Sequence, residues 1–438
     1  MKAITRICLK LVQNLLPDAF ILAVLLSFVV FGAGWALSGK SFFDIVTFWG
    51  NGFSTMYVFG MQMVLVLITG YSLALTPIVQ KFLDKLTDIP KTPAQALMMT
   101  SLISILSCYI SWSFGLVIGA ILARYMGRKV KGLHFPLLVA AAYGGEIIRG
   151  PSSSIPLVSA TPGNFMTKMG IDIVPVTQTL YSSWNIIMTV VIIAALALLF
   201  YNMQPAEGEI VEFSEKEPEP KAEKVKGDMT FAEKLEHSYI INVLMAALPF
   251  TYIVLNLSKF GFDLNLNFCI MIFLTASLLL HKDPMGFVDA IKVAIGASRG
   301  IVLQFPLYAG MSGIMVGAGL VEMVSNWFVS ISTAHTFPFY TFLSAGLVNI
   351  FIPSGGGQWV VQGPIMMNAA AALGADIPQT IMAFAWGDGW TNQIQPFWAL
   401  PLLGVAGLSA RDIMGYCVIW TIISGVIISG TFVLLTMI

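Results

Sequence analysis

Charged residues are scarce in this 438-residue chain. Aspartate, glutamate, lysine and arginine make up 11% of it, against roughly 25% in a soluble domain. Hydrophobic residues account for 57%, which is more apolar surface than a water-soluble fold can hide. The composition therefore excludes a soluble globular protein and predicts an integral membrane protein that has the lipid bilayer as its solvent.

Closely spaced cysteines and an excess of either charge are also missing. The four cysteines are far apart in the sequence, which favours neither a disulfide framework nor a structural metal site. The 23 basic and 23 acidic residues balance, so the net charge does not point to nucleic acid. The few acids within apolar segments are too few for a coupled catalytic set, and we expect neither an enzyme nor a bound cofactor.

Long apolar runs dominate what is present. Segments of about 20 apolar residues are long enough to cross a bilayer as helices, and they occur at 19–37, 55–76, 183–202, 238–257, 265–281, 300–322 and 413–436. Other apolar stretches are interrupted by glycine, proline and polar residues, at 93–123, 135–162, 337–373 and 377–407. These segments predict an all-α polytopic membrane protein with about 11 transmembrane helices, two re-entrant hairpins and broken helices.

A charged segment with several prolines, residues 203–236, separates two membrane repeats that we predict at 1–202 and 237–438. Its composition is that of a solvated cytoplasmic linker. Landmarks recur between the repeats at a nearly constant spacing; Asp44 and Asp289, for example, are 245 positions apart. An internal duplication explains this register better than chance placement of residues at helix ends.

Lysine and arginine are absent from 300–410 and cluster in short loops elsewhere. Because such loops stay in the cytoplasm, we predict a bacterial inner-membrane protein with a cytoplasmic N-terminus and an extracytoplasmic C-terminus. The hairpin at 93–123 would then enter from the cytoplasm and the one at 337–373 from outside, which gives two inverted repeats. A topology in which each hairpin forms two full spans also fits the charges.

Polar residues and glycines concentrate at the predicted hairpin tips and at two predicted helix breaks, 143–154 and 386–396. Irregular backbone survives at membrane depth only inside protein or along a wet cavity. Interrupted helices there present free amides to anions and free carbonyls to cations. The residues that we expect to bind a small carboxylate anion are Ser111, Trp112, Ser113, Gly115, Arg149, Ser152, Ser153, Ser154, Ser354, Gly355, Gly356, Gly357, Gln358, Asn392 and Gln395.

Charged residues at these breaks are functional candidates, since each costs roughly 2.5–3.5 kcal/mol inside a span. Arg149 would grip a substrate carboxylate through its planar fork, or pair with Glu146 three residues earlier on the same helix face. Asp388 has no basic residue nearby in the sequence, so it would hold a proton or ligate sodium; the alternative is a buried protonated acid. Glu146 and Thr391 complete the candidate coupling-ion set.

Four short motifs stand out: Phe114-Gly115-Leu116-Val117, Ser159-Ala160-Thr161-Pro162-Gly163, Pro353-Ser354-Gly355-Gly356-Gly357-Gln358-Trp359 and Gln395-Pro396-Phe397-Trp398-Ala399-Leu400-Pro401. Together they resemble the short-chain fatty acid transporter family, within a superfamily of inverted-repeat anion transporters. The resemblance implies cation-coupled symport of short monocarboxylates such as butyrate or acetoacetate, driven by a proton or sodium gradient, with elevator motion of a hairpin-bearing domain. Whether the protein is a homodimer stays open.

Two alternatives remain from the sequence. A passive anion channel or facilitator would have the same apolar spans but would only equilibrate the anion. A transporter of another small carboxylate, such as a dicarboxylate, would use the same kind of polar breaks.

Overall fold

The computed structural model describes residues 8–10, 12, 14–214, 229–260 and 266–437, and this part of the chain contains helices and no strand. Most lysines of the predicted linker lie outside the described residues. Seven helical stretches are long and apolar enough to cross a membrane, which confirms the all-α polytopic architecture. The total of about 11 spans stays a prediction. The seven stretches are Ala19–Leu37, Phe42–Ala74, Pro93–Ile110, Ser183–Tyr201, Tyr239–Lys259, Pro284–Gly317 and Ala410–Leu435.

Capping residues and prolines set several helix starts in the first half. Ser41 and Asp44 form a reciprocal capping box at the start of α2, and Pro93 opens α5, where a missing N–H costs nothing. A 3-10 turn, Gly144–Ile147, extends α7. The helices are α1 (Ala19–Leu37), α2 (Phe42–Phe53), α3 (Tyr57–Ala74), α4 (Pro77–Leu86), α5 (Pro93–Ile110), α6 (Trp112–Lys129), α7 (Phe135–Tyr143), α8 (Ser154–Ser159), α9 (Phe165–Lys168) and α10 (Ser183–Tyr201).

The second half begins inside the predicted linker, where a capping box of Thr230 and Glu233 starts a short helix. The predicted span 300–322 is interrupted, because Gly319 adopts a left-handed conformation with φ of 70°. The helices are α11 (Phe231–Glu236), α12 (Tyr239–Phe260), α13 (Leu266–Leu280), α14 (Pro284–Ile295), α15 (Arg299–Gly317), α16 (Leu320–Ser330), α17 (Phe337–Asn349), α18 (Gly355–Leu373), α19 (Ile377–Asn392), α20 (Pro396–Ala406) and α21 (Ala410–Leu435).

Helix starts recur between the halves with the spacing seen in the sequence. Helices α2 and α14 begin at Phe42 and Pro284, and α7 and α19 at Phe135 and Ile377, so both pairs are 242 positions apart. The helices between them follow the same register within two positions. The regularity covers whole helices, including the short α2, α4, α14 and α16 that the apolar runs did not predict.

Helices α5 and α6 turn back on each other around a single extended residue, Ser111, with φ of −152° and ψ of 120°. Gly115 faces Cys108, and Gly119 faces Ser104, so α6 retraces α5 in the antiparallel sense. The turn lies at the first residue of the predicted hairpin tip, 111–115. Trp112, Ser113 and Gly115 are therefore already helical.

Helices α17 and α18 form a second antiparallel pair. Gln358 donates to the Ala345 carbonyl over 2.8 Å, and Gln362 donates to Ser344 over the same distance. The turn between them ends at Ser354, whose hydroxyl accepts from the Gly357 N–H and caps α18. These amide side chains are buried, and they fix the two arms against each other.

The second helix break occupies only part of the predicted range 386–396. Helix α19 continues to Asn392, so the break is confined to 393–395. A Cβ at position 387 would contact the Phe342 carbonyl, and one at position 389 would lie 2.6 Å from Arg149 Cζ. Gly387 and Gly389 thus serve close packing and do not unwind the helix, which is why the break is shorter than the glycine pattern indicated.

Candidate substrate site

The two helix breaks meet in the interior. Asn392 and Gln393 donate to the two carboxylate oxygens of Glu146 over 3.1 and 3.2 Å, while Arg149 lies beside Asp388. Position 146 of the first break therefore contacts positions 392 and 393, while position 149 contacts position 388. The residue numbers rise along one segment and fall along the other. The first and second halves of the protein are therefore joined in antiparallel fashion at this point.

A cavity of about 220 Å³ lies at this junction. Drug-sized ligands occupy pockets of roughly 300–1,000 Å³, so the cavity suits a smaller molecule. Both hairpins and both breaks contribute to its lining. The lining residues are Phe59, Trp112, Glu146, Ile148, Arg149, Ser152, Ser153, Ser154, Ser354, Gly355, Gly356, Asp388, Asn392 and Trp398.

Most of the predicted site residues are in this lining, although their roles stay predictions. Those outside it connect the surrounding helices. Thr391 donates to the Gly346 carbonyl over 2.8 Å, and Gln395 donates to the Ile350 carbonyl over 2.6 Å. The predicted residues outside the lining are Ser111, Ser113, Gly115, Gly357, Gln358, Thr391 and Gln395.

Arg149 lies between the two acids. Its Nε donates to the Ile147 carbonyl over 3.1 Å, and its Nη2 donates to the carbonyl and to Oε1 of Glu146 over 2.5 and 3.3 Å. The predicted pair with Glu146 therefore exists, but through a turn, because Arg149 follows the 3-10 helix. Nη1 lies 3.7 Å from Asp388 Oδ2. Asp388 has no basic residue nearby in the sequence, and its partner comes instead from the other half of the chain.

Asp388 accepts fewer hydrogen bonds than Glu146 does. Its Oδ1 is buried and has no hydrogen-bond partner within the described residues. A buried carboxylate oxygen without a donor is costly, so this atom is where a proton, a cation or a donor group would be stabilised. Among the described residues, no three side chains of histidine, cysteine, aspartate and glutamate form a metal-binding group.

The start of α18 brings backbone amides to the cavity. Gly355 and Gly356 line it, and they form the first turn of a 19-residue helix, where N–H groups and the helix dipole favour an anion. A Cβ at position 355 would lie 2.9 Å from Asp388 Oδ2. Glycine at this position therefore allows the hairpin to approach the acid.

Aromatic side chains form a continuous wall of the same cavity. The ring centroids of Trp112 and Trp398 are 5.1 Å apart, and those of Phe59 and Trp398 are 5.9 Å apart. Sequence reasoning did not select Phe59, because an uninterrupted helix gives no signal for it. Trp398 follows the second break by a few residues, and this proximity was a usable signal. The cavity thus combines an arginine and helix amides with an apolar surface.

Known proteins share the whole length of this chain. The sequence model described as "Short chain fatty acid transporter" matches residues 1–435. A protein of Haemophilus influenzae is 40% identical over 94% of this chain and 95% of its own, and one of Escherichia coli K12 is 40% identical over 97% of each. Both relatives carry the name short-chain fatty acid transporter as a provisional assignment.

Among solved structures, the YdaH transporter of Alcanivorax borkumensis aligns with 96% of this chain and 98% of its own, at 13% identity and a TM-score of 0.41. That score is too low to support an inference. The family match covers nearly every residue, and the two relatives cover the chain to the same extent. The chain belongs to the short-chain fatty acid transporter family.

Proposed function

We propose that the protein is a secondary active transporter that couples a short-chain monocarboxylate such as butyrate to a cation. The observation that carries this proposal is the pairing of Arg149 with an aromatic wall in one small cavity. A planar guanidinium recognises a carboxylate, and the rings of Trp112 and Trp398 shelter a short alkyl chain. The name shared by the relatives supports the same substrate class.

The charges at the cavity favour cation coupling. Arg149 faces both Glu146 and Asp388, so the ionised group carries one excess negative charge before any substrate arrives. A monocarboxylate would add a second negative charge in a poorly solvated site, where like charges repel strongly. A cation that enters with the anion removes this cost. A passive channel or facilitator has no such requirement.

The aromatic wall argues against a dicarboxylate. A second carboxylate on a short chain would lie against Phe59, Trp112 and Trp398 without a basic partner. Burying an unpaired carboxylate is expensive. The cavity is therefore better matched to a molecule with one charged end and one apolar end.

Inverted repeats and elevator motion complete the proposed mechanism. The constant spacing of helix starts and the antiparallel meeting of the breaks support two oppositely oriented repeats. In this arrangement each hairpin covers the substrate from one side. We place the protein in a bacterial inner membrane, with its N-terminus in the cytoplasm and its C-terminus outside.

Purified protein in liposomes tests the proposal by uptake of labelled butyrate under an imposed proton or sodium gradient. Uptake should rise above the equilibrium level, and competitors should bind about fourfold more tightly per added methylene until the cavity is full, since each buried methylene is worth about 0.8 kcal/mol. Succinate should compete poorly. Uptake that only equilibrates, or competition by succinate as strong as by butyrate, would contradict the proposal.

A further inference from the structure

The two acids of the cavity differ in the number of donors that hold them. Both oxygens of Glu146 accept hydrogen bonds: Oε1 from Arg149 and Asn392, and Oε2 from Gln393. Asp388 receives none within the described residues, and its Oδ1 is completely buried. Donors on both oxygens stabilise an ionised carboxylate. The contacts therefore stabilise the charged form of Glu146 more than that of Asp388.

The three side-chain nitrogen atoms of Arg149 also differ in whether they have a hydrogen-bond acceptor. Nε and Nη2 are occupied by Ile147 and Glu146. Nη1 has no acceptor in the described part of the chain, because its distance of 3.7 Å to Asp388 Oδ2 is an ion-pair contact outside hydrogen-bond range. The Nη1 edge is thus the part of the guanidinium that an entering carboxylate can bind.

We propose that a substrate carboxylate replaces Asp388 on the Nη1 edge of Arg149, and that Asp388 then takes up one proton on Oδ1 and crosses the membrane with the substrate. Glu146 stays ionised throughout and acts as a positioning residue that fixes Arg149. This inference rests on the proposed transport function and names its coupling group. The proton comes from the compartment that supplies the anion and leaves with it, so only an O–H bond forms and breaks.

The surroundings of Asp388 explain why the exchange requires a proton. Arg149 and Glu146 are the charged side chains that face it across the junction. Helices α8, α18 and α20, which pack around α19, carry no titratable residue. On α17 the titratable residue is Tyr340, which lies near the far end of that helix. On α21, Arg411, Asp412, Tyr416 and Cys417 all precede Thr421 and Gly425, which contact Trp390.

Among the residues described, Arg149 is therefore the one positive charge that faces Asp388, and the substrate takes it away. When the substrate takes Arg149, an ionised Asp388 would be a second unpaired negative charge in a dry site, and this is expensive. A proton removes that charge without further ligands. A sodium ion would instead need several oxygen ligands beside a guanidinium that lies 3.7 Å from the carboxylate and repels it.

Calorimetric titration of the purified full-length protein with butyrate tests the inference. At neutral pH, titrations in buffers with different ionisation enthalpies report how many protons accompany binding. The wild type should take up about one proton per butyrate, without a requirement for sodium. Binding without proton uptake, or binding that depends on sodium, would overturn the inference.

The variant Asp388→Asn is neutral and nearly the same shape, so its butyrate binding should release or take up no proton. Asp172→Asn, at an exposed acid outside the cavity lining, is the matched control and should behave like the wild type. Proton uptake that persists in Asp388→Asn would overturn the inference. If that variant does not fold, the wild-type proton count alone decides. A wild type that neither binds nor transports butyrate would instead refute the proposed function.

Discussion

At the scale of single residues, the site depends on a glycine that leaves room for the arginine side chain. Gly389 lies directly beneath the guanidinium of Arg149, and a Cβ there would be 2.6 Å from Cζ. The arginine can therefore lie flat between Glu146 and Asp388. A larger residue would push it away from both acids.

Gly389→Ala should therefore weaken butyrate binding by roughly tenfold or more, since displacement of Arg149 loses a charged hydrogen bond worth about 1.5–3 kcal/mol. The measurement is the Kd of butyrate for folded protein. Gly296→Ala is the matched control, because a Cβ at position 296 would have nothing within 4 Å. An unchanged Kd for Gly389→Ala would show that the position of Arg149 does not govern substrate binding.

The cost of burying charge made it possible to select Glu146, Arg149 and Asp388 from the sequence alone. The sequence could not show that Arg149 and Asp388 are paired, because their contact depends on how the two halves meet. It also could not indicate Phe59, since an aromatic residue in an uninterrupted apolar helix is ordinary.

At the scale of helices, each half packs the first arm of its hairpin closely along a broken helix. In the first half Gly145 lies against α5, where a Cβ would be 2.8 Å from the Ile105 nitrogen. In the second half Gly387 lies against α17, where a Cβ would be 2.9 Å from Ala345 Cβ. The two contacts are equivalent in the repeated register. Small residues permit this close approach of helices in membranes.

Gly145→Ala and Gly387→Ala should each destabilise the protein by about 1–3 kcal/mol, because the added methyl groups overpack rigid backbone. Thermal unfolding in detergent measures the loss. Gly32→Ala, where a Cβ would have nothing within 4 Å, should leave the melting temperature nearly unchanged. If all three variants had the same melting temperature, close helix packing at these glycines would not be a source of stability.

These glycines also show the limit of sequence reasoning about elements. Apolar length predicted most of the long spans, because it depends on local composition, while the re-entrant nature of the hairpins stays a prediction. The same glycine pattern extended the predicted second break back to 386, although 386–392 is helical, since Gly387 and Gly389 are required by neighbours on α17 and at the first break. A sequence does not distinguish a glycine that unwinds a helix from one that lets another helix approach.

His134, between α6 and α7, holds the start of the linker against the membrane domain. Its Nδ1 accepts from the Val211 N–H over 3.0 Å, so its Nε2 carries the hydrogen and lies 2.9 Å from the Tyr416 hydroxyl. Burial lowers the pKa of His134 to about 4. The neutral imidazole is therefore the form that the fold stabilises.

The melting temperature should fall when the pH is lowered. Because the folded-state pKa of His134 is below its ordinary value of 6.5, its contribution is fully present above that value and is lost as the pH falls towards about 4. His134→Gln cannot titrate, so its stability should depend less on pH over this range. Equal pH dependence of the variant and the wild type would exclude His134 as the cause.

At the scale of the whole molecule, the proposed inverted arrangement predicts the side of the membrane to which the ends of each hairpin are exposed. Lys131 follows the first hairpin and Ala372 lies in the last turn of the second, and both are exposed. Lys131→Cys should react with an impermeant thiol reagent only from the cytoplasmic side, and Ala372→Cys only from outside. Labelling in intact cells and inverted vesicles distinguishes the two. Labelling of both residues from the same side would contradict opposed hairpins.

In the proposed mechanism, the two halves of the chain together form one anion site. Ser154 and Ser354 line the cavity from opposite halves. Ser154→Cys and Ser354→Cys should both be modified by a small thiol reagent, and butyrate should protect both cysteines with the same half-maximal concentration. Protection of one alone, or of neither at concentrations that saturate transport, would contradict a shared site.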